Sequence, residues 1–133
     1  MKIIQTSGKR KKAIARATLK KGTGVIRVNG VPVEKLTPDL SRMKIKELLI
    51  IVGEDKLKDV NIDVTVQGGG NIGQIDAARI AMSRAIVDHL QSQTVEKNIR
   101  SYDRSMLSGD SRQVESKKWG GRKACKRFQK SYR

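Results

Sequence analysis

Positive charge in this chain is collected at its two ends, and that layout limits what can fold without help. Residues 1–21 hold eight basic side chains (Lys2, Lys9, Arg10, Lys11, Lys12, Arg16, Lys20 and Lys21) and no acid. Residues 111–133 hold nine (Arg112, Lys117, Lys118, Arg122, Lys123, Lys126, Arg127, Lys130 and Arg133) against Glu115 alone. Residues 22–110 carry 12 basic and 12 acidic groups. An electrically balanced body is thus flanked by two ends near +8 each, within a total of +16. Such ends repel themselves and fold poorly alone, but gain favourable counterion release on a polyphosphate. A basic run is often only a solvated face. Its segregation into both termini points instead to nucleic acid.

The body has to fold on aliphatic burial, because aromatics make up only 3% of 133 residues. Ile, Val, Leu, Met and Ala suffice for one compact domain, near the size at which stability is still modest. Ala13, Ala15, Ala17 and Leu19 alternate with Ile14, Arg16, Thr18 and Lys20, the period of a half-buried strand with a basic outer face. Lys21-Gly22-Thr23-Gly24 supplies a turn, from which Val25 to Val28 is expected to return as a hairpin partner. Asn29-Gly30 marks a tight turn, since both residues tolerate positive φ, and Val31 to Val33 adds a short strand. Thr37-Pro38-Asp39 reads as a helix start, with a capping hydroxyl and proline at the first helical position. That helix runs to about Val52, and its broad apolar face leaves room for a break in the middle.

Val60, Ile62, Val64 and Val66 alternate with Asn61, Asp63, Thr65 and Gln67 as the clearest strand. A glycine-rich turn follows, then a helix from about Gln74 to Gln91 with Ile75, Ala78, Met82, Ile86 and Leu90 on one face and Arg84, Asp88 and Gln91 roughly opposite. A further short helix is expected over Val95 to Tyr102. Beyond Asp103 apolar content collapses, so residues 1–103 read as the body, with its basic N-terminal segment, and 104–133 as an extended basic tail. The fold class is α+β, a mixed sheet with helices on one face.

Few residues offer chemistry. Gly68, Gly70 and Gly73 spell GxGxxG between a strand and a helix, where a dinucleotide site would lie. No strand is expected after that helix, so the βαβ unit and its acidic ribose ligand have no place. A sharp turn with close backbone approach accounts for the glycines, and free amides at the helix start suit an RNA phosphate. His89 is the only histidine and Cys125 the only cysteine, too few for a metal set or a nucleophile–base pair. No enzymatic activity, cofactor or small-molecule substrate is expected. Leu48 to Val52, the longest aliphatic run, is far too short to cross a bilayer, and Met1 to Gln5 lacks a secretory apolar stretch, so a cytoplasmic protein without a membrane partner is expected.

All four aromatics lie late: Tyr102, then Trp119, Phe128 and Tyr132 in the cationic tail. Interleaved with Lys and Arg they suit stacking on bases or wedging into RNA crevices, the alternative being that they fold back onto the domain. Charge alone is also compatible with a generic DNA-compacting protein.

The order of segments is similar to the universal small-subunit ribosomal protein nine family, over nearly the whole chain. Its carriers are Ser7-Gly8-Lys9-Arg10-Lys11-Lys12-Ala13-Ile14-Ala15-Arg16-Ala17, Gly22-Thr23-Gly24, Asn29-Gly30 and Gly68-Gly69-Gly70-Asn71-Ile72-Gly73-Gln74. Asp110 to Lys118 and the ending Phe128-Gln129-Lys130-Ser131-Tyr132-Arg133 complete them, the ending resembling archaeal or eukaryotic members. Trp119 to Lys126 departs from the Gly/Pro/Ala/Arg-rich stretch of the pattern. The resemblance implies a fold like the second domain of ribosomal protein five, with a left-handed βαβ crossover that general topology rules disfavour. It implies a place in the head of the 30S subunit among neighbouring head proteins, on the 3′ major domain of the small-subunit rRNA. The rRNA contacts are expected from Lys9, Arg10, Lys11, Lys12, Arg16, Arg112, Lys117, Lys118, Arg122, Lys123, Lys126 and Arg127. Lys130, Ser131, Tyr132 and Arg133 are then the residues that approach transfer RNA in the peptidyl site.

Overall fold

Alternating small and aliphatic residues build a five-stranded mixed sheet, covered on one face by helices. The computed structural model describes residues 3–125 and 132. The strands are β1 (Ile4–Arg10), β2 (Ala13–Lys21), β3 (Ile26–Val28), β4 (Val31–Pro32) and β5 (Val60–Gln67). The helices are α1 (Asp39–Val52), α2 (Asn71–Leu90), α3 (Gln93–Tyr102) and α4 (Ser105–Ser108), with short 3-10 turns at Val33–Lys35 and Glu54–Leu57. The sheet order is β1-β2-β5-β3-β4, antiparallel except that β3 runs parallel to β5.

Two expectations fail here. The N-terminal cationic segment, for which no strand was expected before Ala13, is regular: residues 4–10 form an edge strand paired with β2 from Ile4↔Leu19 to Arg10↔Ala13. Its inward face is nearly devoid of large apolar side chains, which concealed it. Instead the Thr6 hydroxyl donates to the Ala81 carbonyl at 2.7 Å. Gly8 is buried so tightly that a Cβ there would stand 2.4 Å from the Ala77 carbonyl oxygen. The turn to β2 is Lys11-Lys12, with Lys11 at φ 53° and no glycine to advertise it.

The second failure concerns β3, which does not pair with β2. β5 lies between them, with Ala17 opposite Val64 on one side and Val28 beside Val64 on the other. The Gly22–Val25 connection passes over the end of β5 and is held there. Gly22 N donates to Asp59 O at 2.9 Å, and the Asn61 side-chain oxygen accepts from Thr23 N (2.9 Å) and Val25 N (3.0 Å). Periodicity marks a strand but does not name its neighbours. Asn29-Gly30 does form the β3–β4 turn, at φ 49° and 80°. The Asn29 side chain also extends the ladder, accepting from Val66 N at 2.7 Å and donating to Val66 O at 3.3 Å.

The core lies between the inward rows of β2 (Ala13, Ala15, Ala17, Leu19) and β5 (Val60, Ile62, Val64, Val66) and the buried side of α2. Alanines on both β2 and α2 (Ala77, Ala78, Ala81, Ala85) let the helix sit close to the strands. Ile75, Met82 and Ile86 are buried as expected. The helix begins at Asn71, three residues before the expected Gln74, and ends in Gln91 at φ 45°. Helix α1 runs unbroken and buries Ile45, Leu48 and Val52; Pro38 precedes the first helical residue rather than occupying it. Ion pairs link the helices: Lys44 to Asp76 at 2.6 Å and Arg79 to Glu47 at 2.8 Å, while the Tyr102 hydroxyl donates to Glu47. Helix α3 matches expectation, but structure continues beyond Asp103, because Met106 on α4 is 1% exposed within the core. Among the described residues no helix is long and apolar enough to cross a membrane.

Candidate nucleic-acid interface

The two cationic segments, far apart in sequence, meet at one end of the sheet. Arg84, expected on the solvent side of α2, organises the approach. Its Nε donates to Leu107 O at 2.8 Å, Nη1 to Ser7 O at 2.7 Å and Nη2 to Ser108 O at 3.2 Å. One guanidinium thereby ties the middle of α2 to β1 and to the end of α4. Gly109 at φ 82° then turns the chain so that Asp110 forms a parallel bridge with Arg10.

Asp110 is the acid at this junction. Arg10 Nη2 lies 3.1 Å from its carboxylate, and Arg112 reaches it with Nη2 at 2.7 Å, Nε at 3.0 Å and backbone N at 2.9 Å. The side-chain and then the backbone hydrogen bonds from Arg112, helped by the charge of Arg10, hold this carboxyl well below the usual carboxylate range despite its partial burial. Arg10 also donates to Arg112 O at 3.2 Å. Arg10 is thus largely spent on the junction, its side chain 17% exposed, whereas Arg112 is 83% exposed and presents its outer edge to solvent.

Beyond the junction the cations are open. Lys9, Lys11, Lys12 and Arg16 are exposed on and beside the β1–β2 hairpin. Lys117, Lys118, Arg122 and Lys123 are exposed along the tail, with Lys118 2.6 Å from Glu115. Trp119 is 94% and Tyr132 90% exposed, so neither folds back onto the body. The expected contacts Lys126, Arg127, Lys130, Ser131 and Arg133, with Phe128, fall outside the described residues.

Between hairpin and tail lies a groove of about 1010 Å³ bordered by Lys11, Lys12, Gly69, Gly70, Ile72 and Val114. The glycines here serve close approach. Gly68 (φ 77°) would place a Cβ 2.5 Å from Lys12 O, and Gly69 (φ 68°) one 3.1 Å from the Ala13 side chain. The Gln74 side chain closes the loop onto Gly68 O at 3.1 Å. Helix α2 leads into α3 and α4, not into a strand, so the nucleotide-binding reading of GxGxxG has no βαβ unit to rest on. Among the described residues no group of three or more His, Cys, Asp or Glu side chains converges as a metal site. His89, half-buried near the end of α2, has no such company.

Two further cations stand outside the expected contacts, although the alternation on β2 had already put Lys20 on its basic outer face. Lys20 on β2 and Arg27 on β3 point outward from the helix-free side of the sheet, alongside Lys9 and Arg16. The sequence carried a signal for Lys20, the outward alternation on β2. For Arg27 it carried none, because the neighbour of β3 was misassigned.

Comparison with known proteins bears on the same residues. The family model described as ribosomal protein S9/S16 matches residues 8–133. Three archaeal relatives carry the name small ribosomal subunit protein uS9. The one from Desulfurococcus amylolyticus is 50% identical over 133 residues, covering 100% of this chain and 94% of the relative. That from Halobacterium salinarum is 48% identical over 131 residues, covering 98% and 99% respectively. That from Methanothrix thermoacetophila is 47% identical over 133 residues, covering 100% of both. With the hairpin from Gly8 onward, the glycine turn and the basic tail inside the matched span, the chain belongs to the ribosomal protein S9/S16 family.

Proposed function

We propose that this chain is a non-enzymatic constituent of the small ribosomal subunit that binds small-subunit rRNA and reaches peptidyl-site transfer RNA with its tail. The observation that carries the reading is the Arg10–Asp110–Arg112 junction, which gathers two cationic segments from opposite ends of the chain at one end of a neutral body. A shared cationic surface of this kind gains most from a dense array of phosphates. Lys9, Lys11, Lys12 and Arg16 on the hairpin and Arg112, Lys117, Lys118, Arg122 and Lys123 on the tail are the proposed rRNA contacts, joined by Lys126 and Arg127. Arg10 contributes chiefly by fixing the junction. The rRNA is that of the 3′ major domain in the subunit head, with other head proteins as neighbours.

The tail, residues 104–133, is the reaching arm, rooted on α2 by α4. Its end, Lys130 to Arg133, approaches the transfer RNA backbone, and Arg133 offers a guanidinium that forks onto a phosphate. The parallel pair β3 and β5, joined through α1, is the βαβ connection that a fold like the second domain of ribosomal protein five requires, and the family resemblance implies that its crossover is left-handed. Deleting Lys130 to Arg133 is expected to weaken transfer RNA retention in the peptidyl site of purified subunits while the protein still co-sediments with them after a high-salt wash. Unchanged retention would remove the tail's role, and loss of co-sedimentation by the wild type would remove the ribosomal reading itself.

A further inference from the structure

We propose that the groove between α1 and the β3–β4 edge of the sheet is a docking site for a cationic, apolar segment of another polypeptide. The inference rests on the ribosomal reading, which supplies neighbouring proteins, and names the surface and the chemistry by which one of them is held. The groove has a volume of about 660 Å³, and Ile26, Pro32, Val33, Leu49 and Leu57 give it an apolar floor. In the sheet order β1-β2-β5-β3-β4 it lies at the edge opposite the one that carries the Arg10–Asp110 junction. Helix α1 carries the apolar surface beyond the groove. Ile45, Leu48 and Val52 pack into the core, yet Leu40, Met43 and Ile50 on the other side are 50%, 62% and 72% exposed. Spacings of three and four residues put Met43, Lys46 and Ile50 on one ridge, and Lys46 is also a wall of the groove. A helix that is apolar on two opposite faces calls for cover on both. Single exposed apolar residues need no explanation, but a ridge of them beside an apolar groove marks an interaction site.

Charge identifies the occupant. Most carboxylates of this +16 chain are answered by a lysine or arginine, as in Lys44–Asp76, Arg79–Glu47 and Lys20–Asp63. Four have no ion-pair partner among the described residues, Glu34, Glu54, Asp59 and Asp88, and the first two line this groove. Of the two lysines on its rim, Lys58 is taken by Asp55 and Lys46 is open among the described residues. Lys35 and Lys56 are close in sequence but do not line it. The open charges are two carboxylates and one ammonium, opposite in net sign to the edge where the tail departs. RNA phosphates are disfavoured on such a surface, and a second copy of so basic a chain brings its own repulsion. A segment with a Lys or Arg for Glu34 and Glu54, aliphatic side chains for the floor and a main-chain carbonyl for Lys46 satisfies each of these groups.

The test places the photo-reactive residue p-benzoylphenylalanine at Ile50, and separately at Lys117 in the tail, in full-length chains assembled into small subunits. On irradiation the Ile50 probe is expected to join a second polypeptide in a product that survives ribonuclease, while the Lys117 probe joins RNA. Mass spectrometry of the Ile50 product should map the cross-link to a segment in which Lys or Arg flanks aliphatic residues. Glu34 and Glu54 are both exposed, so reversing them leaves the fold intact, which the thermal midpoint checks. E34K/E54K is expected to lower the Ile50 yield about fivefold, and E34Q/E54Q by less, with the Lys117 product unchanged. An Ile50 product that ribonuclease removes, one formed with a second copy of this chain, or none at all overturns the docking site and leaves the ribosomal reading standing. An Ile50 yield that both double variants leave unchanged overturns the cationic partner. A Lys117 probe that meets no RNA brings down the ribosomal reading, and the docking site with it.

Discussion

Arg84 shows how much one side chain can hold when all its donors are used. It joins three carbonyls, those of Ser7 on β1, Leu107 and Ser108. Hydrogen bonds from a charged donor contribute about 1.5–3 kcal/mol each, with losses partly offset by water at the rim. Arg84→Ala is therefore expected to destabilise the fold by about 2–4 kcal/mol in urea unfolding, and Arg84→Lys to recover only part, because an ammonium lacks the planar fork. Asp110 sets a pH dependence. Its folded-state pKa is depressed, so its contribution is complete at neutral pH, begins to fade as pH drops below the ordinary carboxylate value of about 4, and is lost in stronger acid. Protease cutting between Ser108 and Arg112 should accelerate over that acid range in the wild type, and Asp110→Asn should show the fast rate already at neutral pH. A wild-type rate that is flat through the acid range would refute the junction. Arg84 was placed on a solvent face by helical spacing alone. Periodicity says which side of a helix points away from the core, but not which loop comes back to cover it.

At the level of elements, what was legible and what was not divides along the β1–β2 hairpin. Strands β2 and β5 declared themselves through strict alternation of apolar residues, and α2 through its stripe of Ile75, Ala78, Met82 and Ile86. Strand β1 did not, since Thr6 and Gly8 occupy its inward positions and its turn is Lys11-Lys12. The charge was read correctly but its conformation was not. A strand edge can be held by a backbone ladder and a close helix without large side chains of its own. That closeness makes Gly8 a sensitive position. Gly8→Ala is expected to cost about 1–3 kcal/mol through overpacking against Ala77 and Ala81, with the loss appearing in hydrogen exchange first at β1. If β1 amides exchange as slowly in the variant as in the wild type, the helix has more room there than the structure gives it. The junction residues were similarly half-visible. Family resemblance singled out Asp110 and Arg112, but only the fold shows that Arg10 is their partner.

For the molecule as a whole, charge is the dominant feature, at +16 in 133 residues. Self-repulsion in a chain so basic opposes compaction, so screening should help it. The thermal midpoint of the isolated protein is expected to rise by a few degrees as KCl is raised from low to physiological concentration, and further with a multivalent polyanion that binds the native state. A midpoint that falls with salt would mean that the ion pairs between α1 and α2 outweigh the repulsion between the basic segments.

The position of Asp110 beside Arg10, rather than beside Ile4, has a practical corollary. Strand β1 spans Ile4–Arg10, so its first residue lies roughly 20 Å from the point where the tail departs, at about 3.3 Å per residue. An affinity tag fused ahead of Met1 would emerge near Leu19, at the opposite end of the sheet from that exit. A handle at that end lies on the side of the sheet away from the Arg10–Asp110 junction.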